Sequence, residues 1–340
     1  PPPRRFIYNE TVIGGGKYYF GTTPSQYTSV RLGEFPNPNV GWEKAKKLNL
    51  GADLSFFNQL NISVDYFKEN REGIFLQRKS IPMYVGLSTK PWVNIGKMRN
   101  SGIDASLEYH QPLGKDLHLT VRGNFTYARN RIMDQDEPDY AYTYMNHSGQ
   151  MQWQKFGLVA AGLFQDQEDI DSWAKQSFGE VKPGDIKYLD LNGDGIVDNY
   201  DTKPIGYSDI PEIVYGFGFS LQWKAFDLSA FFQGVAHVSF STLTDQTQAF
   251  VGRNLKESSV FADLYGNTWT PENPGAKYPR MTTGAIDNNN QLSTFWMANG
   301  RYLRLKNLEL GYTLPKRWTS KLHASPTRSP CRACASTSRV

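Results

Sequence analysis

The run YGFGFSLQWKAFDLSAFF at 215–232 constrains the fold more than any other part of the chain. Tyr215, Phe217, Phe219, Leu221 and Trp223 recur at every second position, with Gly216, Gly218, Ser220 and Gln222 between them. After Lys224-Ala225 the rhythm resumes, with Phe226, Leu228, Ala230 and Phe232 set against Asp227, Ser229, Phe231 and Gln233. A helix needs a period near 3.6, so this stretch reads as two strands joined by a tight reversal. Such a hairpin suits two folds. In a soluble sandwich the apolar face meets a core; in a transmembrane barrel it meets lipid, and the small polar face lines the lumen.

The same two-sided chemistry recurs along the chain. Leu48, Leu50, Ala52, Leu54 and Phe56 alternate with polar residues and glycine. They are followed, after a turn at Asn58, by Leu60, Ile62, Val64 and Tyr66. Ile103, Ala105, Leu107 and Tyr109 precede the turn QPLGKD at 111–116, and Leu117 to Tyr127 alternate after it. In RYLRLKNLELGYTLPK (301–316) the apolar side changes between Leu305 and Leu308. One extra residue near Lys306-Asn307, a β-bulge, restores a single apolar wall. Towards the N-terminus one strand is expected at 16–21, with loop elsewhere.

The links between these strands sort into two kinds that alternate strictly. Short links lie at 57–59, 111–116 and 224–225, and long ones at 70–100, 129–212 and 235–300. Long structureless loops are uncommon in compact soluble domains. Short periplasmic turns facing long extracellular loops are the usual asymmetry of an outer-membrane barrel. On this reading 45–56, 101–110, 213–223 and 301–313 run inward, while 60–69, 117–128 and 226–234 run outward. Asp53, Asp65, Asp104, Glu108, Arg122 and Asp227 then face the lumen. The alternative is a calcium-stabilised extracellular β-rich module for glycan binding or adhesion, whose charges would sit on a solvated sheet face.

Composition agrees with a sheet-rich chain: Tyr 19, Phe 20 and Gly 30 supply strand formers and turns. No run of about eighteen apolar residues exists to form a membrane helix, which leaves a barrel open. A net charge of +4 with no basic block argues against nucleic acid as a partner. Cys331 and Cys334 form a lone C-x-x-C without a second ligand pair, weak grounds for zinc or redox chemistry.

One stretch carries metal chemistry. In DLNGDGIVDNYD, Asp190, Asn192 and Asp194 take positions 1, 3 and 5 of a calcium loop. Gly195 permits the turn, Ile196 offers its carbonyl, and Asp198 and Asp201 close the shell. Hard Ca2+ takes six to eight oxygens, which this set supplies, although position 12 is Asp where an EF-hand has Glu. A plain Asn/Asp/Gly turn is the alternative. Without flanking helical patterns, the expected role is a staple for an exposed loop. His110, His118, His147, His237 and His323 show no ligand spacing, and neither G-x-S-x-G nor a phosphate loop is found, so no enzymatic activity is expected. The aromatics Tyr140, Tyr142, Tyr144, Trp153, Trp173, Trp269, Tyr278 and Trp296 fall in the long intervals. They are expected to serve mostly in packing those loops, with sugar stacking as the alternative.

Taken together, PNPNVGWEKAKKLNLGADLSFF (36–57), ISVDYFKENREGIF (62–75) and SIPMYVGLSTKPWVNIGKMRNSGIDASLEY (80–109) resemble a TonB-dependent outer-membrane transporter of the SusC/RagA type. GNFTYARNRI, GLFQDQEDI, PGDIKYLDLNGDGIVD, YGFGFSLQWKAFDLSAFFQG and RYLRLKNLELGYTLPK match in the same order. The resemblance implies an all-β fold, here an incomplete antiparallel barrel that is part of a barrel of about 22 strands with a plugged lumen. It implies residence in the cell outer membrane amid its lipid and import of oligosaccharide or peptide cargo. It further implies a SusD-like surface lipoprotein as lid, and TonB as energy source through an N-terminal region expected to precede residue 1. It also puts the acidic loop of Asp190 to Asp201 on the extracellular side. Residues 1–321 are assigned to the barrel. Residues 322–340, LHASPTRSPCRACASTSRV, are expected to form no strand and to reflect a reading-frame error or an artefact. No transport is expected from this segment by itself.

Overall fold

The structure, a computed structural model, describes residues 6–22, 25–87, 89–244, 260, 262–282, 284, 286–315 and the backbone of 332–336. The chain opens with a separate hairpin, β1 (Val12–Phe20) and β2 (Ser25–Leu32). Four long strands follow: β3 (Lys44–Phe56), β4 (Leu60–Gln77), β5 (Trp92–Pro112) and β6 (Leu117–Asp134). The next interval holds the short strands β7 (Lys155–Gly157), β8 (Ala160–Leu163), β9 (Lys175–Gln176), β10 (Ile186–Tyr188), β11 (Ile196–Val197) and β12 (Lys203–Ile205). It also holds one helical turn, α1 (Gln167–Asp171). Then come β13 (Ile213–Trp223) and β14 (Phe226–Ala236), the short pair β15 (Ser239–Ser241) and β16 (Met297–Asn299), β17 (Tyr302–Thr313) and β18 (Arg332–Ser336).

Eight of these strands form one antiparallel sheet in the order β18-β17-β14-β13-β6-β5-β4-β3. Its register explains why. Phe217 on β13 faces Phe232 on β14 and Gly123 on β6, while Phe219 faces Ala230 and Val121. Across the sheet Tyr66 faces Ile103, which faces Tyr127, so each apolar run lands beside its neighbour's. A slip of one residue would turn a whole strand's apolar set to the opposite face. At β17 the pairing jumps from Asn307 opposite Phe231 to Leu305 opposite Phe232, leaving Lys306 as the extra residue of a bulge. Leu303 and Leu305 thereby join the wall of Leu308 and Leu310, as expected from the change of side in the sequence.

Nothing among the described residues covers that wall. Leu54 is 49% exposed, Phe217 46% and Leu310 56%. A sandwich would bury these groups against a second sheet, and the soluble-module alternative fails on this point. Apolar side chains left open along seven of the paired strands, β3 to β6, β13, β14 and β17, match the lipid face of a barrel, whose lumen face is polar. Aromatics flank the band: Trp223, Phe226 and Tyr312 lie in one row near the short turns, and Tyr66 and Tyr127 lie near the long connections. On the lumen face the Phe231 ring lies across Gly218, where a Cβ would meet it.

Short turns gather at one end, with Phe57, Asn58 and Lys224 in the left-handed region. At the other end the strands run farther than alternation indicates. The irregular interval expected at 70–100 shrinks to 78–91, because β4 continues to Gln77 and β5 begins at Trp92. Likewise β6 continues to Asp134. Beyond Tyr66 both faces carry polar groups, so the period of two fades while the backbone ladder persists. The single strand expected near 16–21 is a hairpin. In the tail expected to hold no strand, Arg332–Ser336 pairs with Glu309–Thr313. Backbone pairing at a sheet edge does not need an apolar period. Pro1 to Pro3, His323 and Cys331 lie outside the described residues.

An arginine placed on the lipid face should therefore be costly. Phe219→Arg is expected to destabilise by roughly 2–4 kcal/mol, as for midplane arginines in barrels. Ser220→Arg, facing the lumen, should cost far less; urea unfolding of the membrane-inserted protein measures both.

Candidate functional site

The two longest connections fold into a single body above the sheet. Leu158, Leu163, Ile186, Tyr188, Val197, Trp269 and Trp296 form its core. Residues from both intervals thus share one interior. The Leu158 N–H donates to the Leu292 carbonyl (2.9 Å), and the Thr294 N–H donates to that of Leu158 (3.0 Å). Tyr188 Oη donates to the Asn288 carbonyl (2.8 Å), and Trp296 Nε1 donates to that of Asn289 (2.8 Å). Burial holds the Tyr188 phenol above its ordinary pKa, so it stays a donor.

Asp185 is the hub. Its side chain is 0% exposed and pairs with Arg280 Nε at 2.7 Å. Hydrogen bonds to it come from Arg280 Nη2 (3.1 Å), Asn289 Nδ2 (2.9 Å) and the Lys182 N–H (2.8 Å). A buried carboxylate is tolerable only when so satisfied. Beside it Gly184 sits at φ +90, and a Cβ there would meet the Trp269 ring. Trp173 donates its indole N–H to the Tyr188 carbonyl (2.7 Å), and Lys187 lies 4.5 Å over its ring. Most aromatics of these intervals therefore serve packing. Tyr142 and Tyr144 stack at 5.4 Å with Tyr200 edge-on to Tyr142, whereas Trp153 remains 64% exposed.

Where this body meets the barrel rim, Glu212 takes Arg129 Nε (3.0 Å) on one oxygen and His237 Nδ1 (3.1 Å) on the other. Tyr207 stacks on His237 at 4.6 Å. A second clamp joins residues 78–80 to 136. Asp136 accepts from Arg78 Nε (2.9 Å), the Lys79 and Ser80 N–H groups (2.7 and 3.1 Å) and Ser80 Oγ (2.8 Å). Neither clamp is signalled by sequence spacing, since the directly contacting partners lie 25 to 83 residues apart (212 and 237; 129 and 212).

The acidic loop is an ordered set of turns. Asp190 accepts from the Gly193 and Gly195 N–H groups (2.7 and 2.8 Å). Asn192 Oδ1 accepts from the Asp194 N–H (3.0 Å), and Asp194 accepts from the Ile196 N–H (2.8 Å). Asp198 caps the turn Asn199–Asp201. Asp201 is fully buried, and its carboxylate accepts from the Leu191, Asn192 and Asp198 N–H groups. Among the described residues no three His, Cys, Asp or Glu side chains converge on one point. The donor set is all oxygen, as Ca2+ requires, but Asp201 is committed to main-chain N–H groups. Burial, then the charge of Asp201, holds the nearby Tyr144 phenol above its usual range.

His110 and His118 lie at the short-turn end; His110 Nδ1 is 3.1 Å from Thr120 Oγ1. His147 stacks on Phe156 at 3.9 Å, and burial lowers its pKa.

The Asp136 clamp makes a pH prediction. Burial works to raise its pKa, but the hydrogen bonds from Arg78 and Ser80 prevail and hold it at about 2. A depressed carboxylate stabilises the fold above its unfolded value, about 3.9, and that contribution fades as pH falls towards 2. Asp136→Asn should cost about 1–3 kcal/mol locally and remove this acid dependence. Protease cleavage within 78–91, followed from pH 6 to 2, reports it.

Comparison with known proteins places this architecture. Residues 8–325 match the family described as TonB dependent receptor-like, beta-barrel. TonB-dependent receptor P3 of Formosa agariphila is 29% identical over 92% of this chain and 31% of its own length. TonB-dependent receptor SusC of Bacteroides thetaiotaomicron is 24% identical over 90% of this chain and 29% of its own. Among solved structures, the RagAB peptide importer in the open-open state superposes with a TM-score of 0.67 at 20% identity, covering 94% of this chain and 33% of that one. The chain thus spans about a third of the length of these relatives. Eight strands with a lipid-facing band, surmounted by a folded loop body, are a portion of such a wall, and the chain belongs to the TonB-dependent receptor β-barrel family of outer-membrane proteins.

Proposed function

We propose that this chain is a barrel segment of an active outer-membrane importer of oligomeric nutrients. The cargo class is oligosaccharide or peptide, the lid is a SusD-like surface lipoprotein, and the energy comes through TonB. One observation carries the reading: a lipid-facing wall whose long connections are welded into a single body around Asp185 and Trp296. A passive pore gains little from such a body, whereas a gated importer needs a shaped surface above its lumen. The likeness to SusC and to the RagAB importer supports the same reading. Uptake by cells carrying the intact transporter tests it. Accumulation of labelled oligosaccharides or oligopeptides should depend on TonB and on the lipoprotein. Accumulation that is unchanged without TonB would overturn it.

In the same reading the loop of Asp190 to Asp201 holds Ca2+ as a structural staple. Asp190, Asn192, Asp194, Asp198 and the Ile196 carbonyl are the ligands, and Asp201 shapes the backbone from beneath. Calcium should slow proteolysis of the loop body relative to chelator, and Asp190→Asn with Asp194→Asn should abolish that difference. Equal proteolysis with and without calcium in the unaltered protein would remove the ion from the account.

A further inference from the structure

Above the row of Tyr66, Ile103 and Tyr127, the outer wall changes from apolar to basic. The register sets Lys68 opposite Ser101, Ser101 opposite Arg129, Asn70 opposite Arg99, and Arg99 directly opposite Arg131. All of these share the face of the apolar band, because each lies an even number of residues from Tyr66, Ile103 or Tyr127 on its own strand. Like charges directly opposite on a sheet are destabilising unless a counterion lies between them. The carboxylates available do not meet this need. Glu72 is taken by Lys46 (3.8 Å), Asp134 by Lys97 (3.5 Å) and Glu212 by Arg129 (3.0 Å).

On this part of the face Lys68, Arg99 and Arg131 have no carboxylate partner among the described residues. Both guanidinium groups are held in place by neutral acceptors, Arg99 Nε by Asn70 Oδ1 (3.1 Å) and Arg131 Nη1 by the Gly149 carbonyl (3.2 Å). Such bonds fix the direction of the fork and leave its charge unneutralised. Tyrosine on a lipid-facing wall marks the headgroup level. The next two rows towards the long connections, where these cations lie, therefore sit among headgroups rather than hydrocarbon or bulk water.

We propose that Lys68, Arg99 and Arg131 form a docking surface for phosphate-bearing lipid headgroups of the outer leaflet. Planar guanidinium groups pair phosphate oxygens two at a time, and a phosphate between Arg99 and Arg131 relieves their mutual repulsion. Continuity with the apolar band favours a lipid over a free anion, since acyl chains of the same molecule would lie along Tyr66 and Tyr127. The inference rests on the long-connection end of the wall facing outward.

The test uses the intact transporter in detergent, with lipid A as the probe and native mass spectrometry as the readout. Lipid A should be retained by the unaltered protein, and about a hundredfold more weakly by K68Q/R99Q/R131Q, given the attraction of each cation to an anionic surface. Dephosphorylated lipid A should be retained far more weakly than lipid A by the unaltered protein, a comparison that does not depend on the variant's folding. The pair K115Q/K224Q, which removes charge at the short-turn end, should leave retention unchanged. Equal retention of lipid A by the triple variant and the unaltered protein, equal retention of lipid A and its dephosphorylated form by the unaltered protein, or loss with K115Q/K224Q would each overturn the proposal. So would displacement of lipid A by inorganic phosphate alone.

Discussion

A membrane interior offers no water to an unpaired N–H or C=O, so each strand crossing it must be hydrogen-bonded along its length to a neighbour. Everything else in this chain follows from meeting that demand while keeping one face apolar. Eleven consecutive pairs link β13 to β14, and eleven more link β13 to β6. The pairing leaves no freedom to slip, because a slip would turn Asp104 or Arg122 to the lipid. The bulge at Lys306 shows the constraint from the other side. Where the sequence of β17 falls out of phase, the backbone absorbs one residue rather than exposing Arg304 and Lys306 to hydrocarbon.

The loop body obeys different physics. Its strands are two to four residues long and its interior is closed by side chains reaching main-chain groups, as Asn288, Asn289, Trp173 and Trp296 do. Apolar burial alone would be thin in so irregular a structure. The buried Asp185 with Arg280 specifies which segments meet, at a desolvation cost offset by its full set of donors. Above the lipid, uniqueness comes from polar satisfaction; within it, from register.

The sequence made the membrane-crossing part legible and the rest only partly so. Alternation at Leu48–Phe56 or Tyr215–Trp223 is visible because one side of each strand meets lipid and the other water. Past Lys68 or Arg129 neither side meets hydrocarbon, so the signal stops although the strands continue for several residues. The turn at Lys224-Ala225 and the bulge near Lys306 were readable because each leaves a fixed offset in the period. The Glu212 and Asp136 clamps were not, since their partners are gathered by topology alone. The loop of Asp190 to Asp201 was readable as a turn sequence. Its register could not reveal that Asp201 faces inward to support Leu191 and Asn192.

The Asp185 hub has a consequence for how such a protein diversifies. Its connections run through residues 182–186, 280 and 288–289, and Asp185, Ile186, Asn288 and Asn289 are buried. Tips such as Met83–Val85, Trp153 and Tyr265 are exposed and outside this hub. Selection can therefore rewrite the surface that greets the surroundings, insertion by insertion, while the keystone beneath stays as it is.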